Sequence, residues 1–155
     1  MALEIERKYL VINDKWKDSI LSESVLKQGY IANQPNATVR VRVADDVAYL
    51  NIKSATTGIT RAEFEYQIPL ADAEQILEQV AEHPFIDKTR YKVQWGNHVW
   101  DLDLFAGENR GLVMAEVELN SEDESFELPP WVGEEVSGDP RYYNARLVKH
   151  PYSQW

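Results

Sequence analysis

Apolar and polar residues alternate along most of the chain, which is the spacing that β-strands give to their two faces. The alternation predicts strands over residues 3–11, 26–32, 38–44, 47–54, 59–68, 88–95, 98–105 and 112–120. The two-residue links at 45–46 and 96–97 favour antiparallel hairpins between neighbouring strands. About eight antiparallel strands is the number that closes into a small barrel.

Three segments depart from this alternation and are predicted as helices, near 14–22, from Asp72 towards Pro84, and from Asp139 to before Pro151. Asp72 is a candidate N-cap, because Gln75 follows three residues later and completes a capping box. Asp139 followed by Pro140 is typical of an N-cap and the first helical position. The expected fold is therefore α+β but mainly β, a closed eight-stranded antiparallel barrel with a few flanking helices.

Length, cysteine content and charge restrict the function further. The 155 residues predict a single domain over 1–155, and the absence of cysteine excludes a disulfide scaffold, a cysteine nucleophile and a thiolate metal site. A formal net charge of −10 argues against partners such as nucleic acid or an anionic membrane, because its field repels both. The N-terminus lacks the apolar core of a signal peptide, so we expect a cytoplasmic protein.

Ionised side chains recur at i and i+2 positions of nearly every predicted strand, which places each set on one face. The acids are Glu4, Glu6, Glu63, Glu65, Asp101, Asp103, Glu116 and Glu118, and the bases are Lys8, Arg40, Arg42, Lys53, Arg61, Lys88 and Arg90. The plain interpretation is a sheet with one solvated face. A solvated face usually mixes neutral polar residues with charges, however, whereas these positions are almost all ionised and their signs are sorted by strand.

A barrel that closes with the charged face inside would gather these acids and bases in one cavity. Such a cavity is too costly as a dry core, but it is reasonable as a water-filled tunnel. Its bases would bind a polyanion, since the guanidinium group offers a planar fork to phosphate oxygens. Its acids would bind divalent cations, since carboxylate oxygens are the ligands that magnesium and manganese prefer.

The run Glu4-Ile5-Glu6-Arg7-Lys8 resembles the N-terminal E-x-E-x-K signature of the CYTH superfamily, the triphosphate tunnel metalloenzymes. The resemblance continues over nearly the whole chain, through 28–30, 40–42, Lys53, 61–65, 88–90, 101–103, 116–118 and 135–142. One such motif alone is weak, whereas the ordered series across all strands is specific. Among members of the family, the chain resembles the compact bacterial inorganic triphosphatases.

The resemblance implies a tunnel that binds triphosphate together with Mg²⁺ or Mn²⁺. The implied phosphate ligands are Lys8, Arg40, Arg42, Lys53, Arg61, Lys88 and Arg90. The implied metal ligands are Glu4, Glu6, Glu63, Glu65, Asp101, Asp103, Glu116 and Glu118. Lys8, Tyr30 and Glu6 are the catalytic candidates, with Lys8 and Tyr30 as a pair that helps to generate hydroxide. The family's C-terminal helix can plug one tunnel end, a role that the segment 141–150 would take here.

The leading function is metal-dependent hydrolysis of inorganic triphosphate to pyrophosphate and phosphate, with a small-molecule triphosphate as partner. Rival enzymes are a class IV-type adenylyl cyclase and another nucleoside or thiamine triphosphatase. A rival of another class is a non-catalytic module that binds polyphosphate or nucleotide. The many carboxylates favour catalysis, because binding an anion alone would require fewer acids. The choice between monomer and homodimer is left open by the sequence.

Overall fold

The computed structural model describes residues 2–155, in which nine β-strands dominate. They are β1 (Leu3–Val11), β2 (Ile20–Gln34), β3 (Ala37–Ala44), β4 (Val47–Ser54), β5 (Thr60–Ile68), β6 (Ile86–Trp95), β7 (His98–Phe105), β8 (Val113–Glu118) and β9 (Val132–Glu135). Eight of them pair in the order β5-β4-β3-β2-β6-β7-β8-β1, and β1 pairs again with β5. The predicted closed antiparallel barrel is therefore confirmed, with β9 as an additional strand beside β1.

Strand β1 closes the barrel and sets which side chains face its interior. One edge of β1 pairs with β8, and the other edge pairs first with β5 and then with β9. The register sets Glu4 opposite Arg61, Glu6 opposite Glu118 and Lys8 opposite Glu116. Directly opposed residues lie on the same face of a sheet, so this register gathers the charged side chains of three strands inside.

Two of the three apolar clusters lie outside the barrel wall. Trp100 and Leu102 of β7 pack with Trp131, which follows the long loop after β8. On the other side, the helix α1 (Leu70–Gln79) buries Ala73 and Leu77 against β3 and β4. The third cluster, with Ile86, Phe105 and Met114, lies on the inner face and packs against Tyr142 and Leu147 of the C-terminal segment 137–150. The inner face is therefore apolar at this end and charged over the rest.

Part of the predicted apolar surface is not covered. Ile52, Phe64 and Tyr66 lie on the outer face of β4 and β5 and are exposed, as is Leu3 at the start of β1. None of the helices in residues 2–155 is long and apolar enough to cross a membrane.

Glycine at position 29 allows α1 and the turn after it to approach β2. A Cβ atom at Gly29 would lie 2.6 Å from Leu77 Cδ2 and 2.9 Å from the Cβ of Ala81. Both distances are shorter than any ordinary carbon–carbon contact. The glycine therefore brings β2 close enough for Tyr30 O to accept a backbone hydrogen bond from Glu82 N at 2.8 Å.

The predicted helix near 14–22 is wrong, because only the 3₁₀ helix Lys15–Ser19 forms there. Strand β2 begins immediately afterwards at Ile20, which pairs with Val93 of β6. The strand thus starts six residues before the predicted residue 26. The backbone ladder to β6, a long-range contact, outweighs the local helical spacing in this segment.

The other two predicted helices are partly correct. Helix α1 begins at Leu70, two residues before the predicted N-cap Asp72, and Pro69 takes the capping position without a side-chain hydrogen bond. At the C-terminus, Asp139 caps as predicted by accepting from Arg141 N. The single helix expected after it is instead a 3₁₀ helix, Pro140–Tyr142, followed by the helix α2, Asn144–Leu147. Tyr143 between them is extended, with φ −71° and ψ 135°.

Candidate active site

The barrel interior is a cavity of about 880 Å³ lined mainly by ionised and polar side chains. Every residue predicted for the site lines this cavity, with the exception of Asp103. The strand register therefore brings together acids and bases that are separated by more than 100 positions in the sequence. The C-terminal segment 137–150 also contributes to the lining.

Asp103 lies behind the cavity wall, where it binds two of the bases. Its carboxylate accepts from Arg90 Nε at 2.8 Å and Arg90 Nη2 at 2.9 Å, and Lys88 Nζ lies 2.8 Å from Oδ2. Burial acts to raise the pKa of Asp103, but Arg90 and Lys88 outweigh it and hold the pKa well below its ordinary value. Since both of its oxygens are occupied, Asp103 orients bases and does not present a free carboxylate to the cavity.

Glu4 also binds two bases, but unlike Asp103 it lines the cavity. Lys53 Nζ donates to Glu4 Oε2 at 3.1 Å, and Arg61 Nε donates to Glu4 Oε1 at 2.7 Å. Burial opposes the effect, yet Lys53 and Arg61 keep the pKa of Glu4 well below its ordinary value. Lys53 Nζ also lies 3.0 Å from Glu63 Oε2. Two of the predicted phosphate ligands are thus neutralised by acids.

Arg40 and Arg42 differ from the other bases in lacking an acidic partner. Within residues 2–155, no carboxylate lies within ion-pair distance of either guanidinium group. Arg40 is 5% exposed and its Nε has no hydrogen-bond acceptor, while Arg42 Nε donates only to Gln28 Oε1, at 2.6 Å. Burial, with Arg40 and Arg90 nearby, lowers the pKa of Arg42 to about 9. This wall of the cavity therefore presents uncompensated positive charge.

Glu6 and Glu118 form the opposite case, since among residues 2–155 neither has a basic partner in a hydrogen bond or ion pair. They face each other across the β1–β8 ladder. Burial raises the pKa of Glu6 to about 8, and the neighbouring carboxylates Glu116 and Glu4 add to the shift. Burial likewise raises the pKa of Glu118, together with Glu4 and Glu63. In the described part of the chain, no three acidic or histidine side chains are already gathered as a metal site.

Lys8 lies between the carboxylate of Glu116 on β8 and the C-terminal segment 137–150. Its Nζ lies 3.5 Å from Glu116 Oε1, 3.4 Å from the backbone oxygen of Tyr142 and 5.5 Å from the centre of the Tyr143 ring. Tyr30 is buried and lines the same cavity, but within residues 2–155 no hydrogen bond joins it to Lys8. The aromatic ring beside Lys8 is thus Tyr143, which the sequence did not single out.

The C-terminal segment crosses the barrel from β1 to β2. Ser137 Oγ accepts from Lys8 N at 2.9 Å, and Ala145 O accepts from Asn33 Nδ2 at 2.8 Å. Between these contacts, Asn144 Oδ1 accepts from Lys88 Nζ at 2.8 Å and from Gln28 Nε2 at 3.3 Å. Asn144 is a neutral amide outside any charge pattern, so sequence reasoning had no signal by which to find it, whereas Gln28 lies in the segment 28–30 of the family resemblance without a role assigned to it.

Acid is expected to destabilise the protein through its buried ion pairs. Lys8 and Arg90 overcome the effect of burial and lower the pKa of Glu116 to about 2, and Glu4 and Asp103 are lowered as well. A carboxyl whose pKa is lower in the folded state stabilises fully above its unfolded pKa and loses that contribution as pH falls. We expect the melting temperature to drop between about pH 4.5 and about pH 2, as followed by circular dichroism. A flat profile over that window would show that these pairs do not stabilise the fold.

Comparison with known proteins identifies the family to which this site belongs. Residues 2–144 match the model of the CYTH domain. Over its whole length the chain is 49% identical to an inorganic triphosphatase from Acetivibrio thermocellus, and it covers 99% of that protein. It is 37% identical over 149 residues to an inorganic triphosphatase from Nitrosomonas europaea, covering 94% of this chain and 96% of that one.

Solved structures agree with this relationship. The crystal structure of an inorganic triphosphatase superposes with a TM-score of 0.69 at 35% identity, covering 96% of this chain and 95% of the other. A Hippeastrum adenylyl cyclase candidate with dominant triphosphatase activity shares the fold at a TM-score of 0.59 and 12% identity, covering 76% of this chain and 80% of its own. With a family match along most of its length and relatives of this identity, the chain belongs to the CYTH family.

Proposed function

We propose that this chain hydrolyses inorganic triphosphate to pyrophosphate and orthophosphate inside the barrel, with a divalent metal ion. The observation that carries the proposal is the pair Arg40 and Arg42, which face the cavity without an acidic partner. A buried charge without a partner is costly unless a ligand compensates it. A triphosphate carries about four negative charges at neutral pH and would compensate both guanidinium groups.

The lining of the cavity supports an inorganic substrate over a nucleotide. Among the described residues, its only aromatic rings are Tyr30, Tyr143 and His150, and Tyr143 already packs over Lys8. A nucleobase is usually held by stacking on an aromatic ring and by polar groups at its edge. The full-length relatives, themselves inorganic triphosphatases, support the same choice.

The contacts that each base already makes indicate how it would bind the phosphate groups. Arg40 and Arg42 would bind directly, because their N–H groups face the cavity without acidic acceptors. The remaining proposed phosphate ligands are Lys8, Lys53, Arg61, Lys88 and Arg90, each of which retains an acid as a partner. An ammonium has three N–H donors and a guanidinium five, so these side chains can keep their acid and still donate to a phosphate oxygen.

The carboxylates that line the cavity, here called the acidic wall, have the oxygen donors that suit a Mg²⁺ or Mn²⁺ ion. Glu6 and Glu118 are carboxylates without a basic partner, and burial together with the neighbouring carboxylates raises their pKa values, a shift that a bound cation would oppose. The proposed ligands are Glu4, Glu6, Glu63, Glu65, Asp101, Glu116 and Glu118. Asp103 leaves this set because it does not line the cavity, whereas Glu4, whose oxygens also accept from bases, does. A divalent ion held there would neutralise charge that develops on the phosphoryl oxygens.

Lys8 and Tyr30 are the residues we propose to assist the attacking water, and Tyr30→Phe tests the pair. We expect kcat to fall by about tenfold with little change in KM, because one hydrogen bond made in the transition state is lost. The matched control is Tyr143→Phe, which removes the hydroxyl of the other tyrosine near Lys8, a group that donates to Ser137 O. If only Tyr143→Phe lowers kcat, the catalytic tyrosine is Tyr143 and the proposed pair is wrong.

Product analysis separates this function from its rivals. We would compare the purified protein on inorganic triphosphate, ATP and pyrophosphate, with Mg²⁺, with Mn²⁺ and with chelator, at about pH 8 to 9, where a water nucleophile is more readily deprotonated. Orthophosphate released mainly from triphosphate, and only with metal, is the expected result. Cyclic AMP formed from ATP would indicate an adenylyl cyclase instead. Tight triphosphate binding without any turnover would indicate a binding module.

A further inference from the structure

The break between the two C-terminal helices frees a backbone oxygen that Lys8 uses. In a continuous α-helix the oxygen of Tyr142 would accept from Arg146 N. Here Tyr143 is extended, and the backbone N–H groups of Arg146 and Leu147 both donate to Tyr143 O, each at 2.9 Å. The oxygen of Tyr142 is consequently available to Lys8 Nζ, at 3.4 Å.

The side chain of Asn144, the residue after Tyr143, provides an oxygen for a second lysine, Lys88. Lys88 Nζ lies 2.8 Å from Asp103 Oδ2 and donates to Asn144 Oδ1 at 2.8 Å. Each of the two lysines therefore has one acidic partner on the barrel wall and one neutral oxygen from residues 142–144. Since an ammonium group has three N–H donors, Lys88, held by two contacts of 2.8 Å, keeps one donor for the cavity in a direction that these contacts fix.

A second amide extends this contact to an arginine. Gln28 is fully buried, donates from Nε2 to Asn144 Oδ1 at 3.3 Å, and accepts from Arg42 Nε at 2.6 Å. Lys88 and Arg42 are thus connected through two amides that carry no net charge. A carboxylate in the same place would also orient these bases, but it would cancel part of the positive charge that a phosphate needs.

We propose that Asn144 is a positioning residue of the triphosphate site, whose amide oxygen, supported by Gln28, directs Lys88 and Arg42 towards the bound phosphates. This inference rests on the proposed function and names a residue that acts through the bases rather than on the substrate. The competing explanation is that Asn144 only anchors the C-terminal segment. Asn33 provides a matched control, because its Nδ2 anchors the same segment through Ala145 O and does not contact Lys88.

The experiment is a double-mutant cycle between Asn144 and Lys88. The Kd for inorganic triphosphate is measured by calorimetry in the presence of chelator, where no metal-dependent turnover occurs. The proteins are wild type, Asn144→Ala, Lys88→Met and the double variant, together with Asn33→Ala alone and combined with Lys88→Met. Methionine keeps most of the volume of the lysine, and Arg90 remains as a partner for Asp103. If Lys88→Met fails to fold, Lys88→Gln closes the cycle.

Asn144→Ala is expected to raise Kd by about tenfold in the wild-type background and by about threefold once Lys88 is replaced, the remainder acting through Gln28 and Arg42. Asn33→Ala is expected to change Kd by less than about twofold in both backgrounds. An equal loss from Asn144→Ala in both backgrounds, or no loss in either, would overturn the inference. A wild-type protein that binds triphosphate but does not hydrolyse it with Mg²⁺ or Mn²⁺ would refute the proposed function, and the binding cycle would still decide the role of Asn144.

Discussion

Replacing Arg40 with alanine is expected to weaken the binding of inorganic triphosphate by at least about 100-fold, the value of two lost charge-assisted hydrogen bonds. Arg40 is buried and faces the cavity, and within residues 2–155 it has no acidic partner that could compete with a phosphate. Since its charge is uncompensated in the free protein, the substitution removes no ion pair. Affinity should therefore fall while the melting temperature is maintained or rises.

Calorimetry with triphosphate in chelator measures this loss, and two variants serve as controls. Arg110→Ala removes an exposed arginine that does not line the cavity and should leave Kd unchanged. Arg40→Lys restores the charge without the planar fork and should recover only part of the affinity. An Arg40→Ala protein that binds triphosphate within about threefold of wild type would remove the main support for an anion site in this cavity.

Glu6→Gln is expected to separate turnover from binding. With Mg²⁺ or Mn²⁺, kcat should fall by at least about 100-fold, because the variant lacks a carboxylate proposed as a metal ligand. In chelator at about pH 9, by contrast, where Glu6 with its pKa raised to about 8 is ionised, affinity for triphosphate should rise, since a negative charge facing the anion has been removed. Glutamine keeps the shape of the side chain, and Glu6 has no basic partner among residues 2–155 to lose. Opposite changes in kcat and affinity would not arise from a general folding defect.

The control for Glu6→Gln is Glu78→Gln, which changes an exposed acid on α1 outside the cavity and should affect neither quantity. Turnover and affinity are measured on the same preparations, with orthophosphate release for the first and calorimetry for the second. A Glu6→Gln protein with undiminished kcat would mean that the acidic wall at this position is not required for the reaction. The metal would then have to be held elsewhere.

Much of the barrel and of its charged interior could be predicted because the alternation is strict. Arg40 and Arg42 flank Val41, which is buried against α1, so one strand carries both a core face and a site face. The ladder to the next strand then places Tyr30 opposite Arg40 inside the barrel. Period-two spacing and antiparallel pairing are sufficient for these placements.

The remaining features depend on contacts that no local pattern encodes. Asp103 has the same spacing as Asp101, but Lys88 and Arg90 draw it out of the cavity lining. Asn144 and Gln28 are in contact only because the C-terminal segment crosses the barrel. Tyr143 is extended and interrupts a helix that the sequence predicts as continuous. Strand β9 has only four residues, and its pairing with β1 is a long-range contact.

The most direct test follows inorganic triphosphate and the wild-type protein by ³¹P nuclear magnetic resonance, first in chelator and then after addition of Mg²⁺. Mn²⁺ is paramagnetic and broadens ³¹P signals, so reactions with Mn²⁺ are stopped with excess chelator and followed by orthophosphate release. The triphosphate signals should persist in chelator. After the metal is added, orthophosphate and pyrophosphate should appear in equal amounts, at a rate greatly reduced in Arg40→Ala. Triphosphate that remains intact with either metal, or an undiminished rate in Arg40→Ala, would contradict the claim that this charged cavity hydrolyses inorganic triphosphate.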